Sequence, residues 1–346
     1  MKRINKLFLF IIVAAAMTAC NQKSVFPDFK YTTVYFPYQS PVRTIELGDD
    51  PLYNISDDNM HQCIIEATMG GVYSNTKDRI IKVAVDNSLC DSLRFESATG
   101  DSVIAMPSNY YSLPQDMSIT IAAGSMMGGI KVQLTDAFFQ DPRSTKNTFV
   151  IPLKMLSVTG ADSILAGQSG VASPDPRVAG DWVTAPKNYV LYCIKYINPW
   201  TGAYLRRGVD VGTGNGGNTA LDTTVTYHQQ YVEQDQVCTM FTTSMNTANI
   251  ALSSRTKGNI SMPFTLMLNF SDSSNCTINA PANSAYTVSG KGEFVKNGDS
   301  WGNEPRDVLH LKYTVNLGSE THNLTDTLVM RDREVAFETF NPVVTN

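Results

Sequence analysis

Two groups of aromatic and charged residues carry the most chemistry in this chain. Trp301 stands with Asn303, Glu304 and Arg306 in a turn-rich stretch, and Trp200 stands with Tyr204, Arg206 and Arg207 after Pro199. A flat ring with a polar tip offers an apolar body and a hydrogen-bonding edge. A sugar ring, with one apolar C–H face and a rim of hydroxyls, is its natural complement. Binding residues also concentrate on loops held by a rigid scaffold. Trp301, Asn303, Arg306, Trp200, Tyr204 and Arg206 are therefore the candidate glycan contacts. Tyr110, Tyr111, Phe138 and Phe139 read instead as core, because aromatics supply so much buried mass.

Other patterns resolve into turns and loops. Gly298-Asp299-Ser300-Trp301-Gly302 matches GxSxG, but a nucleophile elbow needs a strand before it and a helix after it. Asn297-Gly298 is a hairpin signal, and Pro305 blocks a long helix. Gly212 to Gly217 matches GxGxxG, without the following helix that a dinucleotide site requires. His61, His228, His310 and His322 are scattered, with no HExxH, which leaves only a metal site assembled in space. Asp49-Asp50 and Ser56-Asp57-Asp58-Asn59 gather hard oxygen atoms and read as solvated loops. No catalytic set, metal site or cofactor is expected.

Location limits these possibilities. Lys2, Arg3 and Lys6 precede an apolar run from Leu7 to Ala16, the pattern of a secretory signal. The run is far short of the roughly 20 residues of a membrane span. Met17-Thr18-Ala19-Cys20 resembles the lipobox of bacterial lipoproteins, which implies acylation of Cys20. The net charge is −5, with no Lys/Arg cluster, and this argues against nucleic acid. The other cysteines, Cys63, Cys90, Cys193, Cys238 and Cys276, include no CxxC and read as buried thiols.

The positioning elements are strands. Ile81, Val83 and Val85 recur with period two on one face, as do Ile130, Val132 and Leu134, and Leu309, Leu311, Tyr313 and Val315 alternate with polar partners. Period two marks strands with one buried face. Short strands with Gly and Pro punctuation predict an all-β chain, with an Ig-like antiparallel β-sandwich over 31–158. Residues 59–71 read equally as strand or short helix. Residues 159–187, rich in Gly and Pro, read as a linker. Over 188–346, about eight strands predict a meander closing into a small barrel. Residues 1–19 form the signal and 20–30 a lipidated tether.

The phrases VYFPYQSPVRTIELGDD, MGGVYSN and VQLTDAFFQDP resemble the N-terminal domain, domain of unknown function 1735, of lipoproteins in Sus-type glycan-utilisation systems. YVLYCIKYINPWTGAYLRRG, VSGKGEFV and WGNEPRDVLHLKYTV resemble the lipocalin-like C-terminal domain that accompanies it. The resemblance implies an outer-membrane lipoprotein facing the cell exterior. It implies binding of oligosaccharide or polysaccharide beside a transporter pair, without catalytic residues. It also makes Trp200, before Gly202, similar to the Trp that plugs lipocalin-like barrels. Two features depart from relatives. There is no DxxDxE array of a family-18 glycoside hydrolase, and Asn21, Gln22, Lys23 and Ser24 replace the acidic run of many surface lipoproteins.

Overall fold

The computed structural model describes residues 28–29 and 31–345. The signal and the proposed lipidation residue Cys20 lie outside them. The described chain is all-β, a two-sheet sandwich followed by a closed barrel. One sandwich sheet runs in the order Ser163–Ile164, Thr33–Tyr35, Gln62–Gly70, Met127–Leu134, Tyr111–Ser112. The facing sheet runs Glu338–Thr339, Pro41–Glu46, Tyr189–Ile197, Phe149–Thr159, Arg79–Val85, Ser118–Ile121, with Ile104–Ala105 beside Phe149–Thr159. Inward residues such as Phe36, Ile65, Ile119, Phe149 and Leu153 fill the space between them. The ambiguous stretch, 59–71, is mainly a strand. A short helix, Ser56–Asn59, precedes the strand Gln62–Gly70, and His61 turns the chain between them at φ 58°.

The domain boundary differs from the sequence expectation. Tyr189–Ile197 lies inside the sandwich, antiparallel to Phe149–Thr159 and parallel to Pro41–Glu46. The second domain therefore begins near Asn198, not at 188. Residues 159–187 are a crossover within the sandwich, not an inter-domain linker. Gly and Pro do break the regular elements there. Composition alone cannot distinguish a crossover from a linker, because both need irregular, solvated backbone. Trp182 donates to the Asp175 carbonyl at 2.7 Å and pins this crossover to itself.

The barrel contains Gly202–Gly214, Gln236–Ser244, Thr247–Arg255, Ser261–Phe270, Asn275–Asn279, Thr287–Trp301, Glu304–Asn316 and Glu320–Asp332. Its last strand returns to its first, in register from Tyr204↔Met330 to Gly214↔Glu320, so these eight leave no open edge. Thr223–Tyr227 pairs with the outer half of the first strand. The interior is filled by side chains. Leu266, Leu268, Leu309 and Leu328 occupy the middle. Gly290 makes room for Tyr313, whose Cβ would lie 2.4 Å from a Cβ added at the glycine.

Arg333 joins the two bodies. It donates to the carbonyls of Thr201 (2.7 Å), Asp49 (2.7 Å), Leu47 (3.1 Å) and Asn198 (2.9 Å). Glu46 lies 3.4 Å away. Burial is the main force raising the pKa of its carboxyl from 4.5 to about 7, against the pull of Arg333; Asp50 raises it further. The chain after Arg333 returns to the sandwich. Glu338–Thr339 pairs with Pro41 and Val42, Pro342–Val344 pairs with Leu93–Phe95, and Phe340 packs on Phe95. Cys63, Cys90, Cys193, Cys238 and Cys276 are all free and buried, with burial raising their pKa values to about 11 or 12.

Candidate functional site

The best candidate is a cleft between the sandwich and the barrel, where ligand sites commonly form. Two neighbouring chambers share Asp49, Lys296 and Asp307. The first, about 530 Å³, has an apolar wall of Leu47, Trp200, Phe270 and Phe294, with Asp272 and Asn246 among its polar lining. The second, about 490 Å³, is lined by Asp50, Pro51, Glu304 and Arg306. An ion pair between Lys296 and Asp49, 2.7 Å long, stands at the shared wall. Its hydrogen bond raises the Lys296 pKa.

Local chemistry explains the placement. Trp200 stacks face to face on Phe270, with ring centroids 3.6 Å apart and an interplanar angle of 3°. It is only 5% exposed, and its Nε1 donates to the Ser273 carbonyl at 3.4 Å. Trp200 thus supports the chamber more than it faces solvent. Asp272 accepts from the backbone N–H groups of Ser274 (2.7 Å) and Asn275 (2.6 Å). The Asn275 bond is the leading cause of its lowered pKa, so the rim keeps a carboxylate. Lys296 enters the cleft through a bulge. The Thr287–Trp301 strand shifts register between Val295 and Asp299, and Asn297 adopts φ 53°. Bulges re-aim side chains in this way. This also corrects the turn expectation, because the hairpin reverses later, at Gly302 and Asn303, with φ of 63° and 62°. Positive φ at both central residues is the geometry that fits strand twist.

The six predicted residues separate into three places. Trp200 and Arg306 line the cleft. Trp301 joins them indirectly, with the Arg306 guanidinium 5.0 Å from its ring centre. Asn303 occupies the hairpin turn. Tyr204 and Arg206 face the barrel interior and are 0% exposed, so they cannot meet an external glycan. Tyr204 donates to the Trp200 carbonyl at 2.6 Å. Arg206 pairs with Asp326 at 3.0 Å and lies 3.8 Å over the Tyr227 ring. Their alternation along the first barrel strand, with inward residues at 204, 206 and 210, dictates this burial. Burial alone would lower the Arg206 pKa, but Asp326 and its neighbours raise it, so the guanidinium stays charged.

Phe294, Lys296 and Asp307 were missed as site residues by sequence reasoning, and Asp49 was read as part of a solvated loop. Phe294 could have been found from its place among the alternating residues of a long strand. The convergence of Asp49 with Lys296 has no local signal, since the two come from different domains. Asp58, read as a solvated loop acid, is buried. It pairs with Arg43 and accepts from the Glu46 N–H at 2.8 Å.

A domain of unknown function (DUF5627) model matches residues 199–334. A second model, for an N-terminal domain, matches residues 29–162. A crystal structure of a structural-genomics protein of unknown function from Bacteroides ovatus is 40% identical, with a TM-score of 0.83. The match covers 92% of this chain and 100% of that one. The chain belongs to the family of that protein. No curated protein matches. The second model falls on the sandwich and the first on the barrel, with the crossover and the sandwich strand Tyr189–Ile197 between them.

Proposed function

We propose that this chain is a lipid-anchored outer-membrane protein that binds oligosaccharide in the inter-domain cleft without cleaving it. The observation that carries this reading is the composition of the first chamber. Phe294, Phe270 and the Trp200 stack give an apolar wall, while Asp272, Asn246, Lys296 and Asp307 supply directional polar groups. That combination suits a ring with one C–H face and a hydroxyl rim. The lipobox-like Met17-Thr18-Ala19-Cys20 and the resemblance to Sus-type lipoproteins support attachment beside a transporter pair. A tether would then hold captured glycan at high effective concentration.

The test is a glycan array followed by calorimetry on the soluble Asn21–Asn346 chain. Saturable binding to a polysaccharide or N-glycan is expected, and Phe294→Ala weakens it at least about tenfold, within the cost of losing an aromatic anchor. No retention across a broad panel refutes the binding role, and release of reducing ends from a bound glycan refutes the non-catalytic role.

A further inference from the structure

We propose that the inter-domain cleft selects its glycan by charge: it takes amine-bearing oligosaccharide best, neutral oligosaccharide next, and excludes uronate-containing or sulfated chains. This rests on the binding role assigned to the cleft above and names the class of ligand it admits. The charged side chains around the two chambers are mostly acidic. Asp49, Asp272 and Asp307 border the first, and Asp50 and Glu304 join Asp49 and Asp307 around the second. Only Lys296 and Arg306 oppose these five, so carboxylates exceed cations by three.

Neither cation stands open to an incoming acid. Lys296 Nζ lies 2.7 Å from Asp49 Oδ2. That pair is solvent-exposed and adds little stability, but its two charges largely cancel for any third group. Arg306 is only 8% exposed. Its guanidinium lies against the Trp301 ring and donates to the Arg331 carbonyl at 3.4 Å. The carboxylates are the reverse. Asp49 is the one of the five with an ion-pair partner among the described residues. Main-chain N–H groups hold three of the others without neutralising them. Asp50 accepts from Leu52 (2.6 Å) and Tyr53 (2.7 Å), Asp307 from Asn297 (2.8 Å), and Asp272 from Ser274 and Asn275.

The consequence for a ligand follows from its charge. Sugar hydroxyls donate to carboxylates in charge-assisted bonds, so a neutral glycan finds strong acceptors beside the apolar wall of Phe270 and Phe294. An ammonium on the sugar gains further from the excess of negative charge. A uronate or sulfate group enters the same field with the opposite sign and finds no unpaired, open cation in exchange for its water. Like-charge juxtaposition is how interfaces reject wrong partners. Asp49, Asp272 and Glu304 are exposed, so salt screens their effect, and the discrimination is largest at low ionic strength.

The experiment applies the full chain to an array of matched neutral, amine-bearing, uronate and sulfated oligosaccharides, at about 0.02 M and about 0.15 M salt. Amine-bearing members should be retained at least about tenfold better than their uronate counterparts at the lower salt, with the gap narrowing at the higher. Asp272→Asn combined with Asp307→Asn keeps an acceptor oxygen at each position and removes two of the three excess charges, so it should close most of the gap. If that variant does not fold, two small probes decide on the unaltered chain: a nitroxide carrying an amine, and its carboxylate analogue. The amine should broaden the amide NMR signals of Ser274, Asn275 and Asn297 at least about twofold more than the carboxylate does. Equal broadening overturns the proposal. Equal retention of uronate and amine-bearing glycans also overturns it, while leaving the binding role intact. Retention of no glycan at all refutes the binding role, and this proposal with it.

Discussion

In the sandwich, Phe36, Ile65, Ile119 and Leu153 meet in a hydrocarbon core. In the barrel, Leu266, Leu268 and Leu309 share the interior with Arg206, Asp210, Asp326 and His322, which are equally dry. Both interiors exclude water, but they are held by different forces. The sandwich gains stability from area removed from water, at about 25 cal/mol per Å². The barrel has charges that are tolerable only because each has a particular neighbour, and a buried pair adds little net stability while costing much when broken. Shape decides the first interior and partnership the second.

The largest test of this contrast is Asp326→Ala. It leaves Arg206 charged and unmatched inside the barrel, where Asp326 now lies at 3.0 Å. A loss of about 3–5 kcal/mol is expected in urea denaturation. A cost below about 1 kcal/mol would erase the distinction. Replacing both partners, as Arg206→Met with Asp326→Leu, should recover most of the loss, because matched apolar substitution of an ion pair is often neutral or stabilising.

At the joint, the relevant variable is pH. The Glu46 carboxyl rises from 4.5 to about 7 on folding, so the folded state holds this proton more tightly than the unfolded chain. Its contribution is fully present below pH 4.5 and is lost as pH rises through 7. The shift corresponds to at most about 3 kcal/mol. The urea midpoint should fall across this window, and Glu46→Gln should flatten that part of the profile. An unchanged slope in the variant would assign the pH dependence elsewhere.

The smallest effect belongs to the sandwich. Ile65→Val removes one methylene from a fully packed site and should cost about 1 kcal/mol by denaturation. A cost comparable to Asp326→Ala would show that the two interiors are equally intolerant.

How far the sequence foretold this molecule depends on whether the signal was local. Period-two patterns at Ile81–Val85, Ile130–Leu134 and Leu309–Val315 correspond to strands with the expected inward faces. The same rule, applied along 204, 206 and 210, would have put Tyr204 and Arg206 inside the barrel. Their polar tips suggested a binding surface instead, because burial of a charge becomes plausible only when Asp326 is known to lie opposite. Thr247–Arg255 and Asn275–Asn279 escaped notice because their inward residues are flanked by Ser, Thr and Asn that also favour turns. Nothing local marked Tyr189–Ile197 as a sandwich strand, since its apolar run suits any interior sheet position. Trp200 and Arg306 were legible as cleft residues by type, whereas Lys296 needed the bulge and Asp49 needed the other domain.

The return of Glu338–Thr339 to Pro41–Val42, and of Pro342–Val344 to Leu93–Phe95, makes the barrel an insertion between two strands of one sheet. This has a consequence for the order of assembly. As the polypeptide grows from its N-terminal side, Pro41–Glu46 and Leu93–Phe95 present bare hydrogen-bonding rims until the last residues emerge. Pairings so distant along the chain form slowly, and unpaired rims invite contact with neighbouring molecules. The interval before the chain is complete is thus the moment of greatest exposure for this fold, and that exposure is concentrated in those two rims.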